Sequence, residues 1–223
     1  MPRHFFYLHG LASSPRSGKA RFLAEQFAAR GLTLHCPDLN EPDFSTLTTT
    51  RMIGQVAAAL RRLPPAPVAL IGSSLGGFVA LHLAEHVRSA LPAHPVDRLV
   101  LLAPAFDFGA PGMRERQTDW LARWRRDGWT EVQHHGYNEP RRLHFELIAD
   151  AARYDSFAVR AETPMLVLHG RGDEVVDPDM VRRFADGRAH VRLVLLDDDH
   201  RLAASIARVW TETVAFLGLD GGC

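Results

Sequence analysis

Three residues in this sequence could together activate a hydroxyl group: Ser74, Asp173 and His200. An alkyl hydroxyl is a poor nucleophile until a base takes its proton, and histidine is the side chain suited to that task near neutral pH. A carboxylate behind the imidazole fixes its tautomer and stabilises the imidazolium that forms. Ser74 stands in Gly72-Ser73-Ser74-Leu75-Gly76, a G-x-S-x-G pattern. An apolar run over 67–71 precedes it and a helical run from Leu75 follows it. Strand, tight turn and helix in that order make the pattern a nucleophile elbow, in which a strained backbone lifts the serine oxygen to the head of a helix. Without that context the same residues would read as an ordinary loop.

The three groups occur in the order Ser, Asp, His, and each lies just past a strand-like run: Asp173 after 165–169 and His200 after 191–196. In a parallel sheet these positions share one rim, the carboxyl edge where open α/β sheets place their sites. Acyl transfer to such a serine also needs two donors for the oxyanion. The N–H of Leu75, the residue after the nucleophile, is one. The other is expected from Leu11 in the loop after the first strand, with Gly10 letting that loop come close. His9 reads as a loop-ordering residue rather than a base.

Other polar groups compete for roles. Asp177 is a weaker candidate acid, because Pro178 after it marks a helix entry. Asp197, Asp198 and Asp199 adjoin His200 and read as solvated loop charges. Consecutive residues cannot all point inward, so no metal site is expected there. His134-His135 has no cysteine or carboxylate at a ligand spacing and reads as surface.

The elements that must position these groups alternate along the chain. Strand-like runs cover 4–8, 32–36, 67–71, 98–103, 165–169 and 191–196. Between them, helical periodicity covers 17–30, where Gly31 closes the helix, and 46–63, which Pro64-Pro65 stops. It returns from Leu75 to about residue 90, over 179–186, and in a last helix striped by Leu202, Ile206, Val209, Trp210 and Leu217. Near-continuous Val, Ile and Leu in the strands predict a mainly parallel sheet of about six strands with helices on both faces. The whole chain, 1–223, reads as one α/β domain without repeats or linkers.

Composition narrows the function classes. The chain has 223 residues, 46% of them hydrophobic, and 26 basic side chains balance 26 acidic ones. That balance asks for neither nucleic acid nor an anionic membrane as partner. No apolar run reaches the length of a membrane span. The N-terminus enters a strand without the regions of a signal peptide, and Cys36 and Cys223 are too distant to suggest a structural disulfide. A cytoplasmic protein is the expectation.

On these residues the chain resembles the α/β-hydrolase superfamily over essentially its whole length. The opening Tyr7-Leu8-His9-Gly10-Leu11-Ala12-Ser13-Ser14-Pro15 through Ser17-Gly18-Lys19-Ala20 is similar to small YqiA-type bacterial esterases, as are Ile71 to Gly77 and Phe216-Leu217-Gly218-Leu219. Leu168-His169-Gly170-Arg171-Gly172-Asp173 and Asp199-His200-Arg201-Leu202 look closer to ABHD-type acyl-protein thioesterases. The resemblance implies a catalytic triad of Ser74 as nucleophile, Asp173 as acid and His200 as base, with an oxyanion hole from Leu11 and Leu75. It brings Leu11 beside Leu75, implies that the usual N-terminal hairpin is missing, and implies no cofactor.

The stretch 105–150 carries Trp120, Trp124 and Trp129 and falls where the superfamily inserts its lid. Met113, Trp120, Leu121 and Trp124 could share one helical face. The stretch is expected to form a small cap in which Trp120 and Trp124 line an acyl pocket. The expected activity is hydrolysis of a small-molecule carboxylic ester or thioester with a small to medium acyl chain, that is, a serine esterase or thioesterase. A peptidase or amidase with the same triad, or a non-catalytic module on the same scaffold, are the competing readings.

Overall fold

A computed structural model describes residues 3–110 and 118–220. Met113 and Cys223 lie outside the described residues. The elements follow the chain as β1 (His4–Leu8), α1 (Gly18–Ala28), β2 (Leu34–His35), α2 (Thr49–Leu60), β3 (Val68–Ser73) and α3 (Leu75–Ala90). There follow β4 (Val96–Leu102), α4 (Thr118–Asp127), β5 (Trp129–His134), β6 (Glu139–His144) and α5 (Glu146–Ala151). The chain ends with β7 (Met165–Gly170), α6 (Pro178–Ala185), β8 (Val191–Leu196) and α7 (Ile206–Leu217).

Six strands form a wholly parallel sheet in the order β2-β1-β3-β4-β7-β8. This is an α/β-hydrolase fold. The order reverses between β1 and β3, since the chain first steps outward to β2 and then returns across β1. The loops after β1 and β3 therefore diverge and leave a crevice at the carboxyl edge. Register places Leu8 opposite Gly72, Ser73 opposite Leu102 and Gly170 opposite Leu196, so these strand ends are level.

The period of two in the strands divides the core into two layers. Phe6, Leu8, Leu70, Leu99, Leu101 and Val167 pack toward α2, α3, α6 and the 105–151 segment. Phe5, Tyr7, Ala69, Ile71, Val100, Leu102, Leu166 and Leu168 pack toward α1 and α7. All six residues of β3 are buried, which is why its sequence shows a solid apolar run instead of alternation.

Helix ends follow capping chemistry. The Ser17 and Thr48 side chains accept from the N–H of Ala20 and Arg51 at the starts of α1 and α2. Asp177 caps α6 with Pro178 behind it, and Gly218 closes α7 at φ 67°. Several expected bounds move. Helix α1 ends at Ala28, and Gly31, at φ 69°, lies in the turn beyond it. The expected 46–63 helix shortens to α2, Thr49–Leu60, with a separate 3-10 turn, Phe44–Thr46, ahead of it. Leu202 is buried ahead of α7, in a turn at φ 53°.

The 105–150 stretch holds an antiparallel hairpin of β5 and β6 that sequence periodicity did not reveal. Its strands alternate weakly, and Pro140 in β6 argues against a strand at all. The hairpin succeeds because each strand has only one paired edge. Among the described residues no helix is long and apolar enough to cross a membrane. Burial pushes the Cys36 thiol up to about 11, so it is a poor thiolate.

Candidate active site

The turn between β3 and α3 packs too tightly for side chains. A Cβ added at Gly72 would fall on the Gly76 carbonyl oxygen, and one at Gly76 would fall on the Leu8 carbonyl oxygen of β1. With both positions bare, β3 enters α3 through a single residue, Ser74, held at φ 54° and ψ −118°. For a non-glycine residue this is a strained region, costing on the order of 1–3 kcal/mol. The Ser74 N–H donates to Leu102 O at 2.9 Å, and its carbonyl accepts from Gly77 and Phe78, so the surroundings hold the strain in place.

The structure brings the three chemistry-bearing residues together. Ser74 Oγ lies 3.1 Å from His200 Nε2, and His200 Nδ1 lies 2.7 Å from Asp173 Oδ2. Asp173 only accepts, so Nδ1 carries the proton and Nε2 is left to receive the one on Ser74. Asp173 Oδ1 accepts from the N–H of Val175 at 2.9 Å and Val176 at 2.8 Å. Its side chain is fully buried, which by itself would raise its pKa. The bond from His200 and the N–H of Val176 more than offset that, and the carboxyl titrates below its ordinary value.

The loop after β1 reaches the same point. A Cβ at Gly10 would sit 3.3 Å from Ser74 Cβ, which places the 9–12 loop against the nucleophile. Among the described residues no acceptor takes the N–H of Leu11 or of Leu75. His9 is buried and orders this loop: its Nδ1 donates to Gly10 O at 2.9 Å and its Nε2 accepts from Leu39 N at 3.0 Å.

The remaining acidic candidates are engaged elsewhere. Asp177 accepts from Asp179 N at the head of α6. Asp197 faces Arg171 at 3.1 Å. Asp198 accepts from Ser205 N at 2.7 Å and Asp199 N at 2.8 Å, so it shapes the turn and is not a simple solvated charge. Asp199 accepts from Arg201 N at 2.7 Å.

Ser74 and His200 open onto a cleft of about 1570 Å³. One wall is apolar, with Phe108, Trp120, Trp124, Ile148 and Met180. The two tryptophans differ. Trp124 is 2% exposed and its Nε1–H donates to Leu143 O at 3.0 Å, tying α4 to β6. Trp120 is half-buried with its ring 4.8 Å from that of Trp124.

His134 corrects an expectation, since it is buried and not at the surface. Its ring stacks on Tyr137 at 4.0 Å and meets Phe44 edge-on at 4.6 Å. The same turn places the N–H of His135 on Ala12 O at 2.8 Å, so the hairpin is fastened to the loop after β1. Sequence reasoning also passed over His169, whose Nε2 lies 3.2 Å from Asp173 Oδ2, and Lys19 in the cleft wall. Lys19 had a signal available: it is the only lysine in the chain.

Comparison with known proteins agrees with this architecture. Residues 4–218 match the model of an uncharacterised protein family, UPF0227. No curated protein matches the chain. Among solved structures, α/β hydrolase domain-containing protein 10 from mouse superposes with a TM-score of 0.76 at 22% identity, over 99% of this chain and 91% of that one. Est1E from Butyrivibrio proteoclasticus superposes with a TM-score of 0.74 at 16% identity, over 97% and 88%. A monoacylglycerol lipase from Paleococcus ferrophilus gives 0.71 at 16%, over 94% and 93%. At these identities the likeness is one of fold.

Proposed function

Since the chain belongs to the UPF0227 family and has the α/β-hydrolase fold, we propose that it is a serine hydrolase of carboxylic esters or thioesters. One observation carries the reading: the unbroken row Ser74 Oγ, His200 Nε2, His200 Nδ1, Asp173 Oδ2, with spacings of 3.1 and 2.7 Å at the ends, on a serine at φ 54°. A lipase among the structural neighbours is consistent with ester chemistry on this scaffold.

In the proposed reaction Ser74 Oγ attacks the acyl carbonyl carbon while His200 Nε2 takes its proton. Charge forming on the carbonyl oxygen is met by the N–H groups of Leu75 and Leu11, and Leu75 adds the positive end of α3. Asp173 stabilises the imidazolium. His200 then gives the proton to the leaving oxygen or sulfur, leaving an acyl group on Ser74. Water, deprotonated by His200, attacks that ester and releases the acid. The apolar wall with Trp120 and Phe108 suits a small to medium acyl chain.

The experiment is hydrolysis of 4-nitrophenyl acetate, butyrate and octanoate with fluorophosphonate labelling. Wild type reacts in both assays. Ser74→Ala loses labelling and several orders of magnitude in kcat, because the three groups act as a unit. Labelling of Ser74→Ala at another residue, or undiminished hydrolysis, overturns the reading.

A further inference from the structure

Lys19 is one lysine among 26 basic residues, the other 26 − 1 = 25 being arginine. An ammonium is a compact point charge where a guanidinium is a broad fork, so the two are not interchangeable in a confined place. Lys19 lines the cleft together with Ser74, His200 and Arg201. Lys19 is half-buried. Burial lowers the ammonium to about 8, against the raising influence of Asp199, Asp173 and Asp198.

Among the described residues Lys19 makes no hydrogen bond and no ion pair within 4.0 Å. The nearby carboxylates are turned to other donors. Asp173 holds His200 and two backbone N–H groups, Asp198 holds Ser205 N, and Asp199 holds Arg201 N. Arg201 follows His200 directly, lines the same cleft, and has an exposed side chain that likewise makes no ion pair among the described residues. Two cations thus line the cleft onto which His200 opens, with no ion pair of their own within 4.0 Å among the described residues.

We propose that Lys19 and Arg201 form a subsite for an anionic group, a carboxylate or phosphate, on the leaving-group half of the substrate. The placement rests on the serine hydrolase reading, in which His200 delivers its proton to the leaving atom. Arg201 adjoins His200 in the chain, and Lys19 is close enough to Asp199 and Asp173 to feel their charge. The apolar wall of Phe108, Trp120, Ile148 and Met180 is left for the acyl half. A partly desolvated ammonium without a partner is costly, and an arriving anion supplies both the counter-charge and a charge-assisted hydrogen bond.

The test uses three butyrate esters of matched shape: those of 3-hydroxybenzoate, its neutral methyl ester, and 3-hydroxyphenyl phosphate. The quantity read is kcat/KM for each charged ester divided by that for the neutral one, within each variant, by proton release. The ratio falls at least tenfold in Lys19→Gln, less in Lys19→Arg, and measurably in Arg201→Gln. A fall confined to one charged ester names the anion. An equal ratio in wild type and Lys19→Gln for both anions overturns the subsite, and a lowered Tm with an intact ratio makes Lys19 a counter-ion of Asp199 instead. Calorimetric titration with 3-hydroxybenzoate and 3-hydroxyphenyl phosphate gives a readout that needs no turnover, and Lys19→Gln weakens that binding about tenfold. Failure of the hydrolase reading is seen separately, as neutral-ester cleavage that survives Ser74→Ala.

Discussion

His169 stands directly behind Asp173: its Nε2 lies 3.2 Å from the same Oδ2 that accepts the hydrogen bond of His200 Nδ1–H at 2.7 Å. That Nε2 also lies 3.0 Å from Val176 O, which can only accept, so Nε2 carries a hydrogen. Burial lowers the pKa of His169, which keeps the ring neutral. The His169 N–H is directed to Val176 O, so the carboxylate is held by backbone N–H groups and by His200, with the neutral His169 ring packed behind it.

Replacing His169 with leucine removes this support while keeping an apolar ring-sized volume. The bond lost is the neutral one to Val176 O, in the turn that holds Asp173, and such a bond contributes about 0.5–1.5 kcal/mol, equivalent to about 2–10-fold in rate. The expected outcome is a fall of that size in kcat with KM little changed, while Tm drops by a few degrees. Steady-state kinetics beside a melting curve checks it. A rise in KM alone would mean that the ring acts on the substrate pocket instead.

Gly76→Ala presses a methyl group onto the Leu8 carbonyl, a backbone atom that cannot swing aside. Overpacking of this kind costs about 1–3 kcal/mol. For a chain of this size each kcal/mol is about 2–4 °C in Tm. Because β1 and the elbow must separate, the proposed ester hydrolysis should fall further than stability accounts for. A variant with wild-type Tm and rate would show that the elbow has slack.

Trp120 and Trp124 should separate in a paired experiment. Trp124→Ala empties a buried site and frees Leu143 O, costing about 3–5 kcal/mol. Trp120→Ala leaves Tm within a few degrees and changes the ratio of octanoate to butyrate ester hydrolysis. If Trp120→Ala alters stability alone, that ring packs the cap and does not line an acyl pocket.

Lys19 makes a prediction about pH. Its folded pKa, about 8, lies below the unfolded value of about 10.4. Between those values the unfolded chain holds more protons, so this residue's contribution to stability rises with pH. Below about 8 the folded protein bears the full cost of the buried ammonium. Lys19→Met should therefore melt above wild type at pH 7, and the gap should close as pH rises from about 8 toward 10.4. Melting curves across that range decide it, since an unchanging gap would place the ammonium in open solvent.

The parallel sheet and the elbow were legible in the sequence because both are local signals. A strand buried on two faces reads as an unbroken apolar run, as Val68 to Ile71 does. The glycines at 72 and 76 mark a turn that no side chain fits. The alternation of strand and helix by itself places Ser74, Asp173 and His200 at one edge of a parallel sheet.

The groups around them were not legible, because their roles come from long-range burial. His134 reads as half of an exposed pair and becomes a buried ring only when the β5–β6 turn lands on Phe44 and the loop after β1. His169 belongs to an apolar strand and meets Asp173 only because the chain folds back after Gly170. The sequence alone determined the order of elements and the elbow, through side-chain periodicity and the steric demands of a turn. The tertiary structure decided which polar groups lose water, and whether each then finds a partner, because desolvation depends on neighbours that lie far away along the chain.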